Sequence, residues 1–341
     1  MRSPEPIDFV VLTGFLGSGK TTLLAEYLRQ PEAADTAVIV NEAGEIGLDG
    51  AILRETGGDV PMTMLSNGCV CCQMTSSLAV TIAALLAADR PQASGPLRRI
   101  VLETSGLAKP GPILRSLAGL AAFPLRVTVL AAYDALRGTQ IADFDEAAAQ
   151  WAAAHRIIVT KVDMVSPERL AEAIAELNGL NPLAEKVCLA DRGAAALAAF
   201  APLVPGGAPA DLPAESERRH PRIAVRVARP ATVPSYDTLA MWLDNLAGAL
   251  GDRLLRLKGL VRVTEDDRPL LVQSVGTLFS PPRPFGLADA GPAPFLVIIA
   301  RDLAAGELES IPPAGLMRMQ PATPGPLPPD LTGQQAADGL P

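Results

Sequence analysis

A glycine-rich octapeptide, GFLGSGKT at Gly14–Thr21, follows the first apolar run of the chain and leads into a helical pattern at Thr21–Arg29. A strand, a Gly-x-x-x-x-Gly-Lys-Thr loop and a helix in this order form the P-loop pattern, which binds the phosphates of a nucleotide. The glycines let backbone N–H groups point inward around a phosphate, and the helix N-terminus adds its dipole. We expect these residues to bind the phosphates: Gly14, Gly17, Ser18, Gly19, Lys20, Thr21 and Thr22.

A carboxylate follows the apolar run Arg99–Leu102, which we interpret as the third buried strand. P-loop enzymes need a carboxylate at the end of a neighbouring strand to hold or orient Mg²⁺. Glu103 supplies it, and the Thr21 hydroxyl is the expected second Mg²⁺ ligand. Lys20 would reach the β- and γ-phosphates. We therefore predict Lys20, Thr21 and Glu103 as the catalytic residues.

The tetrapeptide TKVD, Thr160–Asp163, is close to the Asn-Lys-x-Asp signature of guanine-binding proteins. An aspartate carboxylate accepts hydrogen bonds from both N1–H and the exocyclic amine of guanine, a pair that adenine does not offer. The Lys161 stem would lie over the base plane. Thr160 stands in place of the usual Asn, so one amide contact is lost or replaced by a hydroxyl. The sequence predicts GTP, bound by Thr160, Lys161 and Asp163.

Short apolar runs alternate with helical segments over the first half of the chain, which predicts an α/β fold with a doubly wound, mostly parallel sheet of the P-loop NTPase type. A proline-rich segment then separates this region from a mixed pattern of strands and one amphipathic helix. We predict a P-loop GTPase domain over residues 1–200, a linker over 201–221, a smaller α+β domain over 222–315 and a disordered tail over 316–341.

Composition excludes several classes of function. The 341-residue chain is 49% hydrophobic and carries a net charge of −8, without a block of Lys and Arg, which argues against nucleic-acid binding. Its apolar stretches are interrupted too early to span a bilayer. Acidic residues precede the first apolar run, so no signal peptide is predicted. We expect a cytoplasmic protein without nucleic-acid or membrane partners.

Three of the four cysteines lie close together, at Cys69, Cys71 and Cys72. Clustered thiols just before a helix indicate thiolate ligands, and soft sulfur ligands select Zn²⁺ or a related late metal. Three sulfurs do not complete a tetrahedral site, so a further ligand must come from elsewhere. Cys188 stands alone in an apolar segment, which indicates a core position.

Five motifs together resemble the CobW-type metallochaperone GTPases, which are relatives of the urease and hydrogenase accessory GTPases. They are GFLGSGKTT at Gly14–Thr22, NEAGEIGLD at Asn41–Asp49, GCVCC at Gly68–Cys72, ETSG at Glu103–Gly106 and TKVD at Thr160–Asp163. The resemblance implies metal-dependent GTP hydrolysis and delivery of zinc, cobalt or a similar ion to a client protein. By position, the three clustered thiols are the metal ligands, and Glu42 in the equivalent of a switch loop is a candidate additional ligand.

The chain departs from the family pattern at Ala43, where Phe is usual, and it lacks the His-rich stretch of many members. We predict a Mg²⁺-dependent GTPase that acts as a metallochaperone for Zn²⁺ or Co²⁺, with a client metalloprotein as partner. A homodimer that depends on nucleotide or metal is a further candidate assembly. The alternatives are a nucleotide-binding regulatory or scaffold module with little turnover, and a P-loop small-molecule kinase.

Overall fold

The computed structural model describes residues 6–41, 61–64, 74–88, 95–118, 123–203, 220–285 and 295–321. Seven strands form a first sheet in the order β3-β2-β4-β1-β5-β6-β7, and every pair in it is parallel. Their bounds are β1 Ile7–Gly14, β2 Thr36–Asn41, β3 Met62–Met64, β4 Arg99–Thr104, β5 Leu125–Asp134, β6 Arg156–Thr160 and β7 Glu185–Val187.

Helices cover both faces of this sheet, as an all-parallel sheet requires. They are α1 Lys20–Leu28, α2 Met74–Ala87, α3 Pro110–Ala118, α4 Gly138–Ile141, α5 Asp145–Ala153, α6 Pro167–Leu180 and α7 Arg192–Phe200. Strand β1 illustrates the packing, because Phe9 and Val11 belong to one apolar core and Val10 and Leu12 to the other. Helices α1 and α7 cover the second face, where the Tyr27 and Phe200 rings stack with centroids 4.1 Å apart. The predicted doubly wound fold is confirmed.

A second, antiparallel sheet begins at Ile223 and has the order β11-β10-β9-β13-β8-β14, with β12 paired to β10. The strands are β8 Ile223–Pro230, β9 Leu254–Val263, β10 Asp266–Val275, β11 Leu278–Phe279, β12 Arg283–Pro284, β13 Phe295–Arg301 and β14 Met317–Pro321. Helix α8, Tyr236–Leu250, packs on one face of this sheet through Leu239, Trp242 and Leu246.

The opposite face of the second sheet packs against the first domain. Val227, Val297 and Ile299 join the same apolar core as Trp151 of α5 and Leu177 of α6. At the rim of this contact Arg222 forms ion pairs with Asp145 of the first domain and Asp302 of the second. The two sheets are therefore held together by a shared apolar interior with an ionic border.

The structure differs from the sequence prediction at the C-terminal end. Disorder was predicted from residue 316, but Met317–Pro321 forms β14, which pairs with β8. The prediction missed that Met and polar residues alternate in Met317–Gln320, so that Met317 is buried against the sheet. Met62–Met64, Gly138–Ile141 and Arg192–Phe200 are likewise ordered elements that the sequence pattern did not identify.

Two further predictions concern Cys188 and the proline-rich linker. The last strand of the first sheet ends at Val187, so Cys188 follows it, half-buried at the border of the core rather than inside a strand. Most of the proline-rich linker, residues 204–219, lies outside the described residues. Among the residues that are described, no helix combines the length and apolar composition needed to cross a bilayer.

Candidate nucleotide site

The predicted nucleotide-binding residues converge at one edge of the first sheet. Strands β1, β4, β5 and β6 are neighbours or near neighbours, and their carboxyl ends carry Gly14, Thr104, Asp134 and Thr160. In open α/β sheets this edge is where ligands bind. The order of strands therefore brings together residues that lie up to 144 positions apart, such as Gly17 and Lys161.

The backbone of the P-loop requires glycine, as Gly14 and Gly19 show. Gly14 has φ +144°, and a Cβ there would lie 2.8 Å from the carbonyl oxygen of Ala132. Gly19 has φ +88° and stands directly before α1. Side chains rarely adopt such angles, so both residues let the chain turn sharply from β1 into α1. Among the described residues nothing accepts a hydrogen bond from the N–H of Gly17 or Gly19, which leaves both available to an anion.

Side chains hold every carbonyl of the loop from Gly14 to Ser18. Lys20 Nζ donates to the oxygens of Gly14 at 2.8 Å and Phe15 at 3.3 Å. The next three carbonyls accept in turn from Arg137 Nη2 at 3.4 Å, Lys161 Nζ at 3.1 Å and Thr160 Oγ1 at 2.8 Å. Because the carbonyl oxygens are engaged by cations and a hydroxyl, the loop is organised to present N–H groups to a phosphate.

Asp134, at the end of β5, holds two of these cations. Its buried carboxylate accepts from Lys161 Nζ at 2.5 Å and Arg137 Nε at 3.1 Å, and also from the backbone N–H of Leu136 at 3.0 Å. Burial alone would raise the pKa of Asp134, but the hydrogen bonds from Lys161 and Arg137 outweigh it and lower the pKa. Asp134 therefore stays ionised and fixes the position of both side chains.

Sequence reasoning missed Asp134 and Arg137. The signal was present, because Asp134 is the last residue of an apolar strand at the ligand-binding edge, and Glu103 is likewise the penultimate residue of β4. From sequence alone, LRVTVLA at Leu125–Ala131 is interpreted as the strand, which is three residues short of the observed end at Asp134. The carboxylate is therefore assigned to a loop.

Thr21 and Glu103 lie side by side, as a shared Mg²⁺ site requires. The Thr21 hydroxyl donates to Glu103 Oε1 at 2.6 Å, and Glu103 is 3% exposed. A hydroxyl and a carboxylate are hard oxygen ligands, which is the donor set that Mg²⁺ takes in proteins. Gly106 brings the following turn against the P-loop, since a Cβ there would lie 2.7 Å from the backbone nitrogen of Leu16.

The TKVD segment combines an anchored half and an exposed half. Thr160 Oγ1 lies 2.8 Å from the carbonyl oxygen of Ser18 and 3.1 Å from that of Tyr133, so its hydroxyl ties β6 to the P-loop. Lys161 adopts the left-handed region with φ +57°. Asp163 lies exposed in the turn Val162–Met164, and its carboxylate has no partner among the described residues.

The predicted transition-metal ligands Cys69, Cys71, Cys72 and Glu42 lie outside the described residues. In the part of the chain that is described, no three His, Cys, Asp or Glu side chains form a group suited to a metal ion.

Comparison with known proteins gives consistent matches. Residues 8–187 match the family described as CobW/HypB/UreG, nucleotide-binding domain, and residues 223–311 match the cobalamin synthesis protein cobW C-terminal domain. The zinc chaperone CobW of Pseudomonas aeruginosa is 30% identical over 89% of this chain and 90% of its own length. The zinc chaperone YjiA of Escherichia coli is 29% identical over 90% of this chain and 98% of its own.

A solved structure agrees with the fold. The Zn(II)-bound YjiA GTPase from E. coli superposes with a TM-score of 0.61 at 23% identity, covering 92% of this chain and 100% of the other. The match extends over both sheets, so the arrangement of a parallel P-loop sheet followed by an antiparallel sheet is common to the two proteins. The motif-based resemblance is therefore confirmed by sequence and by fold.

Proposed function

The chain belongs to the CobW/HypB/UreG family of P-loop GTPases, and from this premise we propose that it is a Mg²⁺-dependent GTPase that binds Zn²⁺ or Co²⁺ and delivers it to a client protein. The observation that carries the nucleotide part is the P-loop whose carbonyls are held by Lys20, Arg137, Lys161 and Thr160. Thr160 and Lys161 belong to the TKVD motif and also hold carbonyls of the P-loop, so base binding and phosphate binding are physically connected.

Guanine selectivity is assigned to Asp163. Its exposed carboxylate would accept the two donors of the guanine edge, and adenine offers no such pair. Lys161 is held in place by Asp134 and by the Gly17 carbonyl, so that its stem is available to the base plane. The hydroxyl of Thr160 supplies the link to the P-loop that an Asn amide would otherwise make.

Hydrolysis is assigned to the edge where Thr21 and Glu103 meet. These two oxygens would hold Mg²⁺, which neutralises charge on the β- and γ-phosphates. Lys20 adds a further positive charge near the terminal phosphates, and the free N–H groups of Gly17 and Gly19 contribute hydrogen bonds to them. The buried position of Glu103, 3% exposed, keeps this carboxylate fixed.

The transported metal is assigned to the thiolates of Cys69, Cys71 and Cys72, with Glu42 as an additional ligand. The two bacterial relatives are named zinc chaperones. The chain contains two histidines in all, which leaves the cysteine motif as the strongest soft-ligand cluster in the sequence. We propose that GTP orders the segment Asn41–Asp49 and that hydrolysis releases it, so that metal affinity follows the nucleotide state.

Exposed apolar side chains beside the P-loop are consistent with a partner protein that binds there and responds to the nucleotide. Leu16, Leu107 and Phe144 are 51%, 55% and 51% exposed, respectively, and Phe144 packs on Phe15 with ring centroids 4.9 Å apart. The client protein, or a second copy of this chain, would cover this surface. The cytoplasmic location stays a prediction from the sequence.

Phosphate release from GTP and from ATP, with and without Mg²⁺, tests the nucleotide part. We expect turnover with GTP and Mg²⁺ together, and Asp163→Asn should remove the preference for GTP over ATP. Asp267→Asn, an exposed aspartate of the second sheet, is the matched control. Binding without turnover would favour a regulatory module, and phosphate transfer to a small molecule in place of water would favour a kinase. Zinc content of protein purified without chelator or His-tag tests the metal part.

A further inference from the structure

A group of basic side chains lies between the two sheets, beside β6 and the edge strand β7 of the first sheet. Lys186 of β7 pairs in register with Ile157 of β6, and Ile157 belongs to the core that the two domains share. Lys186 therefore lies on the face of the first sheet that looks toward the second. His155, two residues before Ile157, shares that face because side chains alternate along a strand.

The second sheet contributes Arg256 and Lys258 from β9. Arg256 pairs with Ile299 and Lys258 with Val297, and both partners belong to the shared core. Both basic residues thus face the first domain. Arg256 is 3% exposed, its Nη1 lies 3.4 Å from the carbonyl oxygen of Ala153, and its Nε has no hydrogen-bond partner among the described residues.

The group of basic side chains between the sheets contains no carboxylate partner among the described residues. Among the described residues, none forms an ion pair with Arg256, Lys258 or Lys186, and the nearby Glu185 pairs with Arg156 instead. Burial together with the charge of Arg256 lowers the pKa of Lys186 and of Lys258 to about 8, and Arg283 adds to the effect on Lys258. Burial lowers the pKa of Arg256 to about 9. Burial, with Arg256 and Lys258, also lowers the pKa of His155, which keeps it neutral.

Two helix ends offset part of the positive charge. Arg256 reaches the last residue of α5, and Lys186 Nζ donates at 2.9 Å to the carbonyl oxygen of Asn181 at the end of α6. Each helix C-terminus is equivalent to about half a negative charge. Three cations against two such ends leave a surplus of about two positive charges in a largely buried place. A compact dianion would compensate that surplus.

We propose that a small tetrahedral oxyanion, phosphate or sulfate, binds between Arg256, Lys258 and Lys186. The near-complete burial of Arg256 restricts the ligand to a few atoms. A guanidinium fork with a free Nε is suited to two oxygens of one anion, and ammonium groups add further charge. This site lies beside β7, three strands away from β1 in the first sheet, so it is separate from the nucleotide phosphates.

The test uses the full-length chain saturated with Mg²⁺ and a non-hydrolysable GTP analogue, so that the P-loop is filled. Sulfate and, in a separate arm, inorganic phosphate are titrated by calorimetry at constant ionic strength. We expect one saturable site, and the two arms tell which anion binds more tightly. Lys258→Met and Lys186→Met should each weaken sulfate binding by at least about tenfold, because each removes a charged donor.

Arg262→Met is the matched control, because Arg262 lies on the same strand but is exposed, and it should bind sulfate as the wild type does. Thermal melts show which variants are folded. If the loaded wild type shows no saturable binding of either anion, the proposal is wrong. Sulfate binding at wild-type affinity in either folded lysine variant would also overturn it.

Discussion

Asp134→Asn should make the P-loop less well ordered, although Asp134 is not one of the residues that we expect to bind the phosphates. Asparagine keeps the shape and one acceptor oxygen but removes the charge that holds Lys161 and Arg137. A hydrogen bond to a charged group contributes about 1.5–3 kcal/mol. The two cations are 29% and 46% exposed, so solvent screens them and each contribution lies below that range. We expect a total loss of about 2 kcal/mol, or about 4–8 °C in melting temperature.

The affinity of the Asp134→Asn variant for GTP should fall together with its stability. The Leu16 and Gly17 carbonyls lose the side chains that position them, and we expect GTP to bind about tenfold more weakly, which is about 1.4 kcal/mol. The acid limb of the stability curve should also change. The folded-state pKa of Asp134 is lowered, so its stabilisation is complete above its ordinary pKa near 4 and is lost as the pH falls through the folded value. The variant should lack this pH dependence.

The assay is a thermal melt and a fluorescent-GTP titration at neutral pH, with melts repeated down to pH 3. Asp267→Asn is again the matched control, since its exposed side chain has no partner among the described residues and should change neither quantity. If Asp134→Asn melts with the wild type and binds GTP equally well, the two cations do not organise the loop and the reasoning is refuted.

Three other substitutions probe the site. Lys20→Ala should abolish phosphate release and lower the melting temperature slightly, because Lys20 also bridges two loop carbonyls; wild-type turnover would contradict the P-loop assignment. Gly106→Ala should weaken GTP binding by about tenfold because its Cβ would meet the Leu16 backbone at 2.7 Å, whereas Gly248→Ala in α8 meets nothing within 4 Å and should stabilise the chain by about 0.5–1 kcal/mol. Equal GTP affinity in the two glycine variants would count against the close approach. Cys71→Ser should sharply weaken zinc binding. In the wild type, the factor by which GTP changes zinc affinity should equal the factor by which zinc changes GTP affinity, about 5- to 150-fold. Identical zinc affinity in apo, GDP-bound and GTP-analogue-bound protein would show that the nucleotide site and the metal site are not coupled.

The parts of the site that could be predicted are those written in consecutive residues. GFLGSGKT and TKVD are each recognisable from consecutive residues, and Glu103 could be found because it directly follows the apolar run Arg99–Leu102. The contact of Asp134 with Lys161 depends on β5 and β6 being neighbouring strands, which a linear sequence pattern does not specify. Arg256 looks like an ordinary strand residue in sequence, and its burial appears only once β9 packs on the first domain. Strand β14 was missed for a different reason, since its alternation of Met and polar residues covers only Met317–Gln320.

The shared interior of the two sheets has a consequence for how the molecule opens. Because Val297 and Ile299 contribute to the same core as Trp151, separating the domains would expose apolar surface on both sides. Opening of the second sheet is then linked to opening of the first, and a ligand that binds only the closed form protects both by mass action. GTP at the P-loop should therefore slow amide hydrogen exchange in β9 and β13, although both strands belong to the second sheet.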